Sequence, residues 1–131
     1  MGGDSQVEYL DVEDLVELAA ILLGKPPPIR DVGLLGSAAA RPQTTISGED
    51  AYPDIWLKGA GLLESIVKNH ALVDANLRLG WLATAVFFEL NGVEATVASN
   101  DDVYDLVMHV AAENRTLHEI AAMLQRLFSG P

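Results

Sequence analysis

Between Leu79 and Leu90 apolar residues recur in a way that fixes the local backbone. Leu79, Leu82, Ala83, Val86, Phe87 and Leu90 fall at i, i+3, i+4, i+7, i+8 and i+11. That spacing lines up one face of an α-helix and marks it as a core element. A helix of this kind must be covered, and the rest of the chain offers further helices to cover it.

Asp11 with Glu13 and Asp14 supplies an N-cap and an acidic first turn for a helix running to about Leu23. Gly24-Lys-Pro-Pro-Pro then stops it, because consecutive prolines remove amide donors and force extended backbone. Asp31 caps a short helix from Val32 to Ala40, and Asp54 opens another that reaches about Asn69. Asn91-Gly92 closes the Leu79–Leu90 helix. Val93 to Ala98 reads as a connector that can be locally extended. Ser99 with Asp102 resembles a capping box, and Thr116 with Glu119 makes a fuller one for the last helix. The expected fold is all-α, a single compact bundle of about six helices over residues 1–131, with residues 1–8 a frayed tail. From Arg41 to Ala51 the residues are polar and aperiodic, the longest candidate loop in the chain.

Composition narrows the chemistry. Without cysteine there is no disulfide scaffold, thiolate zinc site or thiol nucleophile. A net charge of -11 argues against direct binding to nucleic acid or an anionic membrane, which need clustered Lys and Arg. A basic partner surface would suit the chain better. No apolar run approaches a membrane span, and the N-terminus carries acids where a signal peptide needs bases, so the expected location is the cytoplasm. With eight Lys and Arg in all, a site for an anionic ligand must draw on local geometry, such as a helix N-terminus beside one arginine.

One stretch has those parts. His70 to Arg78, His-Ala-Leu-Val-Asp-Ala-Asn-Leu-Arg, gathers an imidazole, a carboxylate at Asp74, an amide at Asn76 and a guanidinium at Arg78 between two apolar helices. Asn76 to Arg78 opens a helix whose first amides can meet phosphate oxygens. Each residue also has a plainer reading: His70 can cap helix carbonyls, Asp74 can shape a turn, and Arg78 can be a surface arginine. His109 and His118 read as packing or surface residues, and three histidines at these positions have no metal-site spacing. Ser37, Ser65 and Thr84 lie in helical segments without a glycine elbow, which weakens a serine-hydrolase reading.

The nine residues resemble the motif of the Fic/Doc family, usually His-Pro-Phe-x-Asp/Glu-Gly/Ala-Asn-Gly/Lys-Arg, and Asp74-Ala75-Asn76 is closest to the Doc (death-on-curing) toxin branch of toxin-antitoxin modules. The resemblance extends through Ile29-Arg-Asp-Val-Gly-Leu-Leu, Ala38-Ala-Ala-Arg-Pro-Gln, Ala51-Tyr-Pro-Asp and Phe88-Glu-Leu-Asn-Gly, and covers the chain from about Tyr9 to Leu124. It implies a helical bundle holding the motif at the mouth of a nucleotide groove. It further implies a magnesium- and ATP-dependent transferase acting on a protein hydroxyl. Doc-type toxins phosphorylate a threonine of elongation factor Tu, whereas relatives with glycine before the arginine more often transfer AMP. Carried over, the resemblance makes His70 the general base, Asp74 the magnesium ligand, Asn76, Leu77 and Arg78 the phosphate-binding positions, and the Arg41 loop the flap beside the target peptide.

Three positions depart from the motif. Ala71 and Leu72 replace proline and phenylalanine, and Leu77 stands where the Doc branch usually has lysine. Leu77 removes a phosphate-facing charge and lacks the close backbone access of glycine. It therefore motivates two alternatives: an AMP transferase, and a weakened module that chiefly binds its antitoxin. Self-inhibiting members carry a Ser/Thr-x-x-x-Glu-Gly/Asn helix. Thr45 to Glu49 has the spacing, but Asp50 follows and Pro42 and Gly48 argue for a loop. The expected inhibitor acts in trans, as a disordered antitoxin tail that folds into a groove of the toxin.

Overall fold

Aspartate caps set three of the helix starts. The structure, a computed structural model, describes residues 6–72, 75–95 and 98–129. Helix α1, Val12–Leu23, begins at Asp11, whose side chain accepts from the Asp14 amide at 2.8 Å while the Asp14 carboxylate accepts from the Asp11 amide at 2.9 Å. Helix α2, Val32–Ala40, is capped by Asp31, and α3, Ile55–Asn69, by Asp54. Helix α4 spans Asn76–Leu90, α5 Asn100–Ala112 behind the Ser99 cap, and α6 Leu117–Ser129. Thr116 and Glu119 exchange both capping-box bonds at the head of α6, at 2.9 and 3.1 Å. The all-α bundle expected from the periodicities is the fold, and six α-helices stand among the described residues.

Helix α3 is the centre of the bundle and packs against α2, α4, α5 and α6. Two glycines let α3 and α4 approach closely. A Cβ on Gly59 would lie 2.4 Å from Cζ of Phe88, and one on Gly80 would lie 2.8 Å from Cγ2 of Val67. Phe88 then meets Trp56 and Phe128 at centroid distances of 5.1 and 5.0 Å, so the end of α6 closes the aromatic part of the core. Burial of apolar surface, to which these rings add large areas, is the dominant favourable term in folding.

Two segments differ from their sequence-based expectation. The polar stretch after α2 is ordered: Arg41–Gln43 forms a 3-10 turn, and Thr45–Ile46 (β1) pairs with Glu49–Asp50 (β2) as an antiparallel hairpin. Its two-residue loop has φ of 54° at Ser47 and 82° at Gly48. Positive φ at both positions is the type I′ geometry that matches strand twist in tight hairpins. A self-inhibitory helix over Thr45–Glu49 is therefore absent, as Pro42 and Gly48 suggested. The tail expected to fray through residue 8 is held at Glu8, whose amide donates to Asn91 Oδ1 at 2.8 Å and whose carbonyl accepts from Asn91 Nδ2 at 2.9 Å. Thr96 and Val97, in the connector before α5, lie outside the described residues. No helix of the described residues is long and apolar enough to cross a membrane.

Candidate active site

The joint between α3 and α4 is built from left-handed backbone. His70 ends α3 at φ 55°, ψ 45°, and Ala75 precedes α4 at φ 66°, ψ 24°. Non-glycine residues seldom occupy this region, although histidine does so more readily than most. Val73 and Asp74, including the expected magnesium ligand, lie outside the described residues.

Three sets of contacts fix the joint. The segment before α2 lies against it: the amides of Arg30 and Asp31 both donate to the Ala71 carbonyl, at 2.7 and 3.0 Å, and Ile29 forms an antiparallel bridge with Leu72. The Arg30 guanidinium donates to the His70 carbonyl, so one residue binds two successive carbonyls of the motif. Asn76 supplies the third set. Its Oδ1 accepts from the Leu72 amide at 3.0 Å and its Nδ2 donates to the Leu72 carbonyl at 3.1 Å. Leu72 itself is fully buried, which answers how leucine serves at the motif's phenylalanine position: it anchors the loop in the core.

His70, Asn76, Leu77 and Arg78 come together in one groove of about 760 Å³, with Lys68 beside them and Asn114 on the far wall. Its volume falls within the range of small-molecule sites. Helix α4 enters the groove with no side-chain cap, so its first-turn amides keep the donor capacity that helix geometry leaves them. No carboxylate stands among the described lining residues, in a chain that carries 19 Asp and Glu against eight Lys and Arg. Beside Asn114, the Glu113 carboxylate meets His109 Nδ1 at 3.1 Å and Arg115 Nε at 2.8 Å. The hydrogen bond from His109, followed by that from Arg115, holds the Glu113 carboxyl below the usual glutamate range.

Arg41 lies outside this groove. Its guanidinium turns onto α3 and the hairpin base, donating to Tyr52 Oη at 3.0 Å and Ser65 Oγ at 2.8 Å, with Glu64 at 3.4 Å. The exposed part of the flap is the hairpin, where Ile46 is 67 % exposed. Sequence reasoning missed Lys58, which is 1 % exposed within α3 and reaches Asp50 Oδ2 at 3.2 Å and the Pro42 carbonyl at 3.4 Å. It ties both ends of the flap to the bundle. A lysine on an amphipathic helix normally reads as solvated, and only the covering of α3 on most sides reveals otherwise. Of the other residues weighed, His109 and His118 are exposed, Ser65 accepts from Arg41, and Thr84 donates to the Gly80 carbonyl at 2.7 Å.

Comparison with known proteins decides what this joint is. Residues 9–88 match the model of the Fic/DOC family. The chain belongs to the Fic/Doc family. A curated relative, Toxin Doc of Mycolicibacterium smegmatis (strain ATCC 700084 / mc(2)155), is 46% identical over 118 residues, covering 89% of this chain and 91% of its own. The matched Fic/Doc region takes in the Arg30 segment, the flap, both helices around the motif and the motif itself. The α5–α6 wall of the groove lies beyond it.

Proposed function

We propose that this Fic/Doc protein is a Doc-type toxin that transfers the γ-phosphoryl group of ATP to a hydroxyl of elongation factor Tu and so arrests translation. The observation that carries the reading is the groove at the motif: an imidazole, a guanidinium, an ammonium and an uncapped helix N-terminus face one space, with no carboxylate among the described lining residues. Such a surface on so acidic a chain suits a polyanion. In the proposed reaction His70 takes the proton of the attacking hydroxyl, whose oxygen forms a bond to the γ-phosphorus as the bond to the ADP oxygen breaks. Arg78 forks onto phosphate oxygens and stabilises the charge that moves toward ADP. Asn76 acts on phosphate through the loop whose backbone it holds.

Magnesium belongs with the ATP. No group of three His, Asp or Glu able to hold a metal occurs among the described residues. In the proposal Asp74, which lies outside the described residues, would be the protein ligand, with phosphate oxygens and water completing the coordination that magnesium prefers. Bound there, it would neutralise phosphate charge. Regulation in the proposal is by an antitoxin in trans, its disordered tail folding into a groove of the toxin, in keeping with the name of the mycobacterial relative and with a flap that forms a hairpin.

Labelled ATP tests the reading. The γ-label should pass to elongation factor Tu with the wild-type chain and fail to pass with His70→Ala; no transfer beside an active Doc control would overturn it. A second reading, adenylyl transfer or a module that mainly binds antitoxin, is favoured by Leu77, which lines the groove and brings no charge to it. Transfer of an α-label would select the first of these. Growth of a host that expresses the chain alone, unaffected by it, would select the second.

A further inference from the structure

The groove contains a cation that no family motif supplies. Lys68 stands on the last turn of α3, two residues before His70, and lines the same groove as Arg78. Arg78 approaches from the first turn of α4, so the two charges come from opposite helices of the joint. Neither forms an ion pair with a carboxylate among the described residues, although acids outnumber bases by 19 to eight. The contact Lys68 does make is weak, from Nζ to the Glu113 carbonyl at 3.4 Å. The Glu113 carboxylate, which could have neutralised it, is held by His109 and Arg115. Leu77, which lines the same groove, offers only hydrocarbon.

We infer that Lys68 is the second phosphate-binding cation of this site and supplies from α3 the charge that Leu77 does not supply from α4. The inference rests on the nucleotide reading above. Lys68 is half-buried, and its ammonium is a point charge on a flexible four-carbon stem. It can therefore leave one carbonyl for a phosphate oxygen without moving the helix. Because Lys68 grips phosphate and not the nucleoside, its effect must grow with the number of phosphates and must be replaceable by a charge at position 77.

Calorimetric titration of the purified chain with magnesium-ATP and with adenosine tests both consequences. Lys68→Met should weaken ATP binding about ten- to a hundredfold while leaving adenosine binding unchanged. Adding Leu77→Lys to that variant should recover most of the loss. Circular dichroism checks each variant's fold, and Lys68→Gln in the same titration decides the matter if the methionine variant does not fold. ATP binding by Lys68→Met equal to wild type overturns the role of Lys68 and leaves the nucleotide reading standing. No ATP binding by the wild-type chain overturns both.

Discussion

Asn76 offers the sharpest test of how the motif loop is held. Its side chain satisfies both the amide and the carbonyl of Leu72, at 3.0 and 3.1 Å, and Leu72 is fully buried. Truncation to alanine strands a buried donor and a buried acceptor at about 1–3 kcal/mol each. Asn76 is only half-buried, so water can enter the space it leaves, which favours the lower end; alanine also gains about 0.5 kcal/mol in helix propensity. The net expectation is a loss of about 2 kcal/mol at neutral pH.

Asn76→Asp separates the two bonds. An ionised aspartate still accepts from the Leu72 amide but sets an oxygen against its carbonyl. A protonated one donates to that carbonyl and restores the pair. Folding therefore favours the protonated form, raising the folded-state pKa above the ordinary aspartate value of about 3.9. The folded protein binds more protons than the unfolded chain in this window, so the variant gains stability relative to wild type as pH falls through the raised pKa. Urea unfolding of wild type and both variants at neutral and mildly acidic pH measures each quantity. An alanine variant within about 0.5 kcal/mol of wild type, or an aspartate variant with no relative gain on acidification, would refute the clamp.

Three further outcomes follow from the packing. Gly59→Ala places a Cβ against the buried Phe88 ring, a clash of about 1–3 kcal/mol that exceeds the gain in helix propensity, so it should lower the melting temperature; Gly36→Ala, whose Cβ meets only Val12 Cγ2 at 3.9 Å, should raise it. Lys58→Met should change global stability by less than about 1 kcal/mol, because methionine removes the cost of burying an ammonium and leaves Asp50, whose side chain is 52 % exposed, to water. The same variant should speed hydrogen exchange in the hairpin, and unchanged exchange there would show that Lys58 does not anchor the flap. For Glu113 the folded pKa is depressed, so its ion pairs stabilise the protein above the ordinary glutamate pKa of about 4.3 and lose that contribution as pH falls through the lower folded value. The gap in melting temperature between wild type and Glu113→Gln should accordingly narrow on acidification, and a gap independent of pH would contradict the assignment.

The helices were legible because their signals are local. Asp11, Asp31, Asp54, Ser99 and Thr116 each precede an apolar period and each caps the helix it announces. The hairpin was hidden by its brevity: two residues per strand give no alternation to read, and Ser47-Gly48 alone carries the turn. Within the site, the nine-residue motif carried the family resemblance but not the means of holding the loop. Arg30 acts across 40 positions and Glu113 stands 45 positions from Lys68, distances at which neither periodicity nor spacing carries information. Asn76 was legible as part of the motif, whereas its grip on Leu72 depends on a reversal of the chain that only the fold supplies.

In the proposed function the groove at His70–Arg78 directs a phosphoryl group from ATP to a protein hydroxyl. Intact-mass spectrometry of elongation factor Tu, incubated with magnesium-ATP and this chain, tests it most directly. Elongation factor Tu should gain the mass of one phosphoryl group with the wild-type chain and none with His70→Ala. A gain of one AMP, or an unchanged mass beside a modified Doc control, would contradict it.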